Sequence, residues 1–308
     1  MKIAIMGTGG VGAYYGGLLA LKGHDVTFIA RGDHLRAILD KGLQIKSVHG
    51  DFRISPARAT DKPAEVGPVE LILFATKTYH TDIAALAIEP MVNAGTVVLS
   101  LQNGVDSADR IGAVVGTEHM LGGATWLSAA IEEPGVVGQY SQFRRIAIGE
   151  FNGLTTPRLE AVGEALMSTG ATVELSENIS KVIWTKFAFI APVAALSCLT
   201  RVAFGEFRDV PEARAALAAA IGEVATVAAA AGVTLDADVV EKTLAFLDNS
   251  AAAMKTSMQR DMEYGKPSEL DSLIGVVARM GEKYKVPTPV MGFAYAMLKP
   301  AALKAQQG

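Results

Sequence analysis

The fold is decided by one stretch, Lys2-Ile-Ala-Ile-Met-Gly7-Thr-Gly-Gly-Val-Gly12. Its apolar half predicts a buried strand over residues 2–6, and its glycine-rich half opens a helical pattern over residues 11–22. In that position a G-x-G-x-x-G loop allows a tight turn, a close approach of a pyrophosphate, and close packing of helix on strand. The helix N-terminus also favours phosphate charge. A purely structural glycine turn is the alternative. The predicted dinucleotide contacts are Gly7, Thr8, Gly9, Gly10, Val11 and Gly12.

Further along the chain, short apolar runs alternate with helical patterns. The runs at residues 25–30, 69–75 and 96–101 are almost continuously apolar, which is typical of parallel strands covered by helices on both faces. Over residues 119–150, shorter runs between turn residues predict antiparallel strands or hairpins added to the same sheet. A helix and a last short strand follow, up to residue 175.

Beyond residue 178 the spacing of apolar side chains is helical. The predicted helices cover residues 179–199, 210–231, 237–265, 268–284 and 288–307. The sequence therefore predicts an α/β fold in two parts. A Rossmann-type dinucleotide-binding domain over residues 1–177 precedes an all-α domain over residues 178–308, which is expected to carry the substrate-binding and catalytic residues.

The composition of the 308 residues argues against several classes of function. The formal net charge of -4 does not suit a nucleic-acid partner, which requires a Lys/Arg-rich face. One cysteine cannot form an internal disulfide, so we expect a reducing, cytoplasmic compartment. The longest apolar stretch, residues 187–199, contains Pro192 and Ser197. It is shorter than the roughly 20 residues that cross a bilayer, so no membrane partner is expected. Scattered histidines predict no metal site. The alanine-rich helices leave a homodimer open.

The end of the second strand indicates which dinucleotide binds. Chains that bind NAD usually carry Asp or Glu there, about 20 residues after the glycine loop, to hold the ribose 2′-hydroxyl. Here the strand ends Phe28-Ile-Ala-Arg31, with no carboxylate before Asp33. An arginine can pair with the 2′-phosphate of NADP(H) in a charge-assisted hydrogen bond. We therefore expect NADPH/NADP as the cofactor, and a solvated surface arginine is the alternative.

Candidate chemistry lies at two more strand ends and in the helical half. Lys77 and Asn103 follow strands, at the sheet edge where open α/β sheets bind ligands, although Asn103 also suits an ordinary turn. Lys186 lies in an apolar helix, where desolvation would lower the pKa of its amine into a useful range for proton transfer, unless the amine reaches solvent. Ser268 is expected to cap the next helix. Glu269 then follows in the first turn, where a helix-dipole role is its alternative.

Seven motifs, each modest alone, occur in a specific order and spacing. They are Lys2 to Gly12, Ala30-Arg31, Thr76-Lys77, Gln102-Asn103-Gly104, Trp184-x-Lys186, Ser257-Met-x-x-Asp261 and Glu269-Leu-Asp271. Because of their order and spacing, the chain resembles the ketopantoate reductase (2-dehydropantoate 2-reductase) family over essentially its whole length. The resemblance implies an NADPH-dependent reduction of the ketone of a 2-oxo acid, which yields pantoate on the route to pantothenate.

The resemblance also implies roles for individual residues. Lys186 would be the general acid, a role that is typically worth ~10²–10⁴ in rate. Glu269 would bind the hydroxyl region of the substrate and help to orient the lysine, and Ser257 would hold the substrate carboxylate. The remaining contacts to cofactor and substrate would come from Arg31 at the 2′-phosphate and from Lys77 and Asn103.

The chain departs from the family pattern at three positions. Ile190, Ala194 and Phe204 stand where the family carries asparagines that bind the substrate. A more apolar pocket that retains the lysine and the glutamate suggests an altered substrate preference. Three functions stay open on this basis: a ketopantoate reductase with a variant pocket, a related reductase of another branched or aromatic 2-oxo acid, and a non-catalytic sensor of NADP(H).

Overall fold

The computed structural model describes residues 1–307. The chain forms two compact units, and the order of an α/β part followed by a helical part is confirmed. The first unit comprises Met1–Gln102 and Ser107–Ile179, and the second comprises Asn103–Asp106 and the chain from Ser180 on. The boundary predicted from the sequence lies two residues earlier. The transfer of Asn103–Asp106 to the helical unit is not visible in the sequence.

The strands and helices of the first unit alternate as follows. The strands are β1 (Lys2–Met6), β2 (Asp25–Ile29), β3 (Leu43–Ser47), β4 (Phe52–Ile54), β5 (Arg58–Thr60), β6 (Leu71–Phe74), β7 (Val97–Ser100), β8 (Met120–Trp126), β9 (Ala129–Glu133), β10 (Val136–Gln139), β11 (Arg145–Gly149) and β12 (Thr172–Leu175). The helices are α1 (Gly10–Leu21), α2 (Gly32–Lys41), α3 (Thr81–Ile88), α4 (Ser107–Val115) and α5 (Pro157–Ser168).

An eight-stranded sheet in the order β12-β11-β8-β7-β6-β1-β2-β5 organises this unit. Its central strands are parallel, and only the pairing of β11 with β8 is antiparallel. Strands β6 and β7 are buried along their whole length, as the continuous apolar runs predict. Because the carboxyl ends of parallel strands lie at the same edge of a sheet, the loops after β1, β2, β6 and β7 all leave the sheet at that edge. This is the edge at which the predicted cofactor contacts lie.

The expectation that residues 119–150 only extend the main sheet is wrong for two strands. β9 and β10 instead join β3 and β4 in a second sheet, in the order β4-β3-β10-β9. Between β2 and β6 the sequence predicts helical patterns alone, whereas the structure has one α-helix, three strands and a 3₁₀ turn, Pro63–Glu65. These strands have only three to five residues with mixed polar and apolar side chains, so they are too short to show a recognisable alternation. Phe52 and Ile45 of this sheet pack on α1 at Gly17.

The second unit is helical. Its helices are α6 (Ile179–Thr200), α7 (Phe204–Arg208), α8 (Pro211–Ala230), α9 (Val239–Asp248), α10 (Ser257–Glu263), α11 (Val276–Tyr284) and α12 (Pro289–Gln307). By length and composition, α6 and α8 could each cross a membrane. In this structure their apolar residues contribute to the core of the helical unit, where Ala188, Ala191 and Ile221 are fully buried.

Two helix predictions need correction. The single helix predicted over residues 237–265 is divided into α9 and α10. In the segment between them, the carbonyl oxygen of Ala252 accepts a hydrogen bond from the backbone of Gly205, and that of Met254 accepts one from Phe204. Phe204 and Gly205 are the first two residues of α7, a helix that the sequence does not predict. The helix predicted from residue 268 begins instead with a π-helical turn, Asp271–Gly275, which continues into α11.

Candidate active site

The glycine loop, Gly7 to Gly12, connects β1 to α1. Gly7 has φ +98°, and a Cβ atom there would lie 2.7 Å from the backbone nitrogen of Thr76, so both the turn and the packing require glycine. A Cβ atom on Gly12 would overlap the carbonyl oxygen of Gly7. At Gly9, in contrast, no protein atom lies within 4 Å of the Cβ position. The loop is therefore tightly packed on two sides and open at Gly9.

The start of α1 suits an anionic ligand. Gly9 is the N-cap residue and offers no side-chain cap, and the first turn carries no acidic residue. The first amides of a helix have no intrahelical acceptor, and the helix dipole favours negative charge beside them. Thr8 is buried and donates its hydroxyl to the carbonyl oxygen of Ile29 at 2.9 Å, which fixes the loop to the end of β2. The loop residues therefore fit the pyrophosphate of a dinucleotide.

The remaining loop residues lie on α1 itself. Gly10 is its first residue and Val11, its second, is partly buried. A side chain on Gly10 would overlap the backbone of Ala129, at the start of β9. The second sheet therefore contacts the glycine loop directly, a contact that the sequence does not reveal.

Basic residues follow β2 and β6. Arg31 is exposed at the N-cap of α2, two residues after β2 ends. Lys77 is partly buried and precedes a 3₁₀ turn, Thr78–His80. Burial lowers the pKa of His80, and the positive charge of Arg31 lowers it further. Arg31 and His80 therefore lie close enough to interact electrostatically, and His80 is a neighbour of the predicted phosphate site that sequence reasoning missed.

Gln102 links the ends of β6 and β7. Its side-chain amide donates to the carbonyl oxygen of Thr76 at 3.0 Å, to the Thr76 hydroxyl at 3.1 Å and to the Thr81 hydroxyl at 2.9 Å. The residue is buried, and Thr76 is the residue that packs on Gly7. The sequence motif contains Gln102, to which no role is assigned there. A polar side chain directly after an apolar strand is the one signal for it in the sequence, whereas its burial and its partners are visible only in the structure.

In the helical unit, Lys186, Asn103 and Glu269 form what we call the Lys186 cluster. Lys186 Nζ donates to Asn103 Oδ1 at 2.9 Å. Burial lowers the pKa of Lys186 to about 8, and the negative charge of Glu269 opposes that shift. Glu269 itself is buried, with 5% of its surface exposed. The cluster thus contains an amine that can exchange a proton near neutral pH beside a polar acceptor and a carboxylate.

The other predicted substrate residues differ in their exposure. Ser257 is exposed at the first position of α10. Ile190, one turn after Lys186 on α6, is partly exposed. Ala194 is fully buried, and Phe204 is 1% exposed in the core, where its ring packs edge-to-face on Phe207. Of the three positions that lack the family asparagine, only Ile190 therefore offers surface to a ligand.

The expected cap at Ser268 is not formed. The residue is buried, and its hydroxyl makes no hydrogen bond within residues 1–307. The helix after it begins with the π-helical turn, and the N-cap residue of that turn is Leu270, which makes no side-chain cap. Over the same described residues, no group of three or more His, Cys, Asp or Glu side chains is placed to hold a metal ion.

A Rossmann-like unit with an open glycine loop, followed by a helical unit that holds a desolvated lysine beside a carboxylate, defines a nicotinamide-dependent oxidoreductase. The family model described as "Ketopantoate reductase PanE/ApbA" matches residues 3–153, and the model of its C-terminal part matches residues 178–302. The chain belongs to the ketopantoate reductase family, and the resemblance seen in the sequence motifs is confirmed.

Three similar proteins are informative. An uncharacterized oxidoreductase, YkpB of Bacillus subtilis strain 168, is 31% identical over 97% of this chain and 98% of its own length. A PanE/ApbA family ketopantoate reductase from Ralstonia eutropha JMP134 has a crystal structure with 30% identity and a TM-score of 0.91, covering 99% of this chain and 100% of that one. A ternary structure of D-mandelate dehydrogenase with NADH and anilino(oxo)acetate has 25% identity and a TM-score of 0.91, covering 99% of both chains.

Proposed function

We propose that this chain is a cytoplasmic enzyme that reduces the ketone of 2-dehydropantoate to (R)-pantoate with NADPH, a step toward pantothenate. The observation that carries the proposal is Lys186, whose ammonium group donates to Asn103 at 2.9 Å and whose pKa is lowered to about 8 by burial. Lys186 is partly buried, and a lysine amine is rarely desolvated without a role. A pKa near the working pH is the property that general acid catalysis requires.

When bound, the nicotinamide cofactor supplies a hydride to the carbonyl carbon of the substrate. As negative charge develops on the carbonyl oxygen, Lys186 stabilises it and donates a proton from Nζ. Asn103 accepts one hydrogen of the ammonium group and so limits the directions of the other two. The charge of Glu269 keeps more of the lysine protonated than burial alone would allow.

The proposed cofactor contacts are the glycine loop, Arg31 and Lys77. Gly9 provides the open approach for the pyrophosphate, and the amides at the start of α1 provide its hydrogen-bond donors. Exposed Arg31 is proposed to hold the 2′-phosphate and so to favour NADPH over NADH. Ser257 and Glu269 are proposed to bind the carboxylate and the hydroxyl region of the substrate.

A second candidate function is the reduction of another branched or aromatic 2-oxo acid. Ile190 places an apolar, partly exposed side chain one turn from Lys186. A site that lacks a hydrogen-bonding group for a substrate hydroxyl discriminates little in favour of that hydroxyl. The similarity to D-mandelate dehydrogenase, whose structure holds anilino(oxo)acetate, supports an aromatic substrate on the same fold.

The test measures the turnover of a panel of 2-oxo acids by the oxidation of NADPH, with NADH as the control cofactor. We expect the highest kcat/KM for ketopantoate with NADPH. A preference for an aromatic or another branched 2-oxo acid would instead establish the second candidate. If the protein binds NADPH but turns over none of the 2-oxo acids, both candidate functions are contradicted.

A further inference from the structure

Glu269 lies two residues before an unusual piece of helix, the π-helical turn Asp271–Gly275. Its carbonyl oxygen accepts hydrogen bonds from the backbone of two residues of that turn, Leu273 at 2.9 Å and Ser272 at 3.2 Å, so its backbone is bonded to the turn. Single π-helical turns are rare and often occur at functional sites. The direction in which the Glu269 side chain leaves the backbone therefore depends on how this turn is held.

The first residue of the turn is fastened to α12. Tyr295 donates its hydroxyl to Asp271 Oδ1 at 2.5 Å, and Lys299 Nζ donates to both carboxylate oxygens, at 2.6 and 2.9 Å. The carbonyl oxygen of Asp271 accepts a further hydrogen bond from Arg279 at 2.9 Å. Four hydrogen bonds thus converge on one residue, two positions after Glu269.

The last residue of the turn is fixed by packing. A Cβ atom on Gly275 would lie 2.7 Å from Cε2 of Tyr295, so the aromatic ring occupies the space that a side chain would need. The same tyrosine therefore contacts both ends of the turn, through its hydroxyl at Asp271 and its ring at Gly275.

The carboxylate of Asp271 is ionised at neutral pH. Its partial burial would raise the pKa, but the hydrogen bonds from Lys299 and Tyr295 more than reverse that effect, and the pKa lies below its ordinary value. The charge-assisted bonds to Lys299 are consequently present throughout the range in which the proposed reaction operates.

We infer that Asp271, tethered by Tyr295 and Lys299, is a positioning residue that holds Glu269 beside Lys186. This inference rests on the proposed function, because it assigns a role to the support of the Lys186 cluster. Asp271 does not act on the substrate. It fixes the turn from which Glu269 extends, and Glu269 in turn supplies the negative charge that acts on Lys186.

The test is Lys299→Met, which removes the tether while leaving Asp271 and Glu269 in place. The readout is the pKa of Lys186 from an NMR titration of isotope-labelled lysine, assigned by the signal that Lys186→Arg removes. Loss of the positive charge of Lys299 would by itself raise the pKa of another lysine, or leave it unchanged. Release of Glu269 would lower it instead, and we expect a fall of roughly half a unit or more, since a close opposite charge shifts a pKa by about one unit or more.

Two variants serve as comparisons. Tyr295→Phe keeps the ring on Gly275 and every charge but removes the hydroxyl, so we expect a smaller fall in the pKa of Lys186. Arg214→Met removes a cation that is paired with Asp248 at 2.6 Å in the same unit, and we expect no fall. Tyr295→Phe removes only the hydroxyl group that donates to Asp271. It therefore keeps the test informative if Lys299→Met does not fold.

The outcomes separate this inference from the proposed function. Glu269→Gln should lower the pKa of Lys186 by about one unit. If Glu269→Gln lowers it but Lys299→Met and Tyr295→Phe do not, the positioning role is wrong and the proposed function stands. If Glu269→Gln has no effect, the role of Glu269 in the Lys186 cluster is wrong, and the positioning role is overturned with it.

Discussion

In the glycine loop the proposed ligand contacts come from backbone amides and from the absence of side chains, whereas in the Lys186 cluster they come from three buried or partly buried polar side chains. Gly9 leaves space that a Cβ atom would enter. Lys186 donates a hydrogen bond to Asn103, and the negative charge of Glu269 acts on its amine. In the proposed function the first region binds through its shape and the helix dipole, and the second acts through desolvation and charge.

The difference predicts that damage to the two regions has separable effects. Substitutions in the glycine loop should change cofactor affinity, because the loop contacts only the cofactor in the proposed function. Substitutions in the Lys186 cluster should change turnover with little effect on cofactor affinity, because the proton donor acts after the cofactor has bound.

The largest effect is expected for Lys186→Ala. Loss of the proton donor should lower kcat by about 10²–10⁴-fold, the usual contribution of general acid catalysis, with the Kd for NADPH nearly unchanged. Steady-state kinetics and fluorescence titration of NADPH measure the two quantities. Lys181→Ala is the matched control, because Lys181 lies on the same helix and pairs with Asp236 at the surface. An equal loss of NADPH affinity in Lys186→Ala would remove the separation between the regions.

The glycine loop is tested next by Gly9→Ala. The new methyl group meets no protein atom, so the fold should be unaffected, but it would occupy the approach proposed for the pyrophosphate. We expect the Kd for NADPH to rise at least about tenfold, or ~1.4 kcal/mol, with an unchanged Tm. Gly222→Ala on α8 also adds a methyl group in open space and should leave the Kd unaltered. An unchanged Kd in Gly9→Ala would place the pyrophosphate elsewhere.

Cofactor preference is tested by Arg31→Ala. Hydrogen bonds to charged groups contribute about 1.5–3 kcal/mol, so the Kd for NADPH should rise about 10–100-fold while that for NADH stays constant. The control is Arg36→Ala, which removes an exposed arginine from the same helix. Parallel losses of NADPH and NADH affinity would show that Arg31 does not contact the 2′-phosphate.

The smallest effect is expected at Ile190. Ile190→Asn adds an amide at a partly exposed position one turn from Lys186. The ratio of kcat/KM for ketopantoate to that for an aromatic 2-oxo acid should rise about tenfold. The comparison variant Ala194→Asn adds the same amide at a fully buried position, where an unpaired polar group costs about 1–3 kcal/mol. It should lower the Tm and leave the ratio unchanged; the opposite pattern would assign the pocket to position 194.

The same contrast explains how much the sequence reveals. β1 was predicted with its observed bounds, because a continuous apolar run followed by a glycine loop has a single structural interpretation. The short strands β3 to β5 and the break between α9 and α10 were not, because long-range contacts, such as those of Ala252 and Met254 with α7, decide them. In the site, Lys186 stood out as a charge in an apolar helix. The hydrogen bonds of the Gln102 amide could not be predicted, since its partners Thr76 and Thr81 come together only in the folded sheet.

The central claim is that Lys186 donates the proton, and the pH dependence of kcat/KM tests it most directly. The pKa of Lys186 is lowered to about 8 from the ordinary 10.5, and only the protonated form can donate. With NADPH and the best 2-oxo acid of the panel, kcat/KM should therefore be constant below about pH 8 and fall about tenfold per pH unit above it. In Glu269→Gln the fall should begin at lower pH. A rate that stays constant up to about pH 10, where an ordinary lysine titrates, would contradict the account.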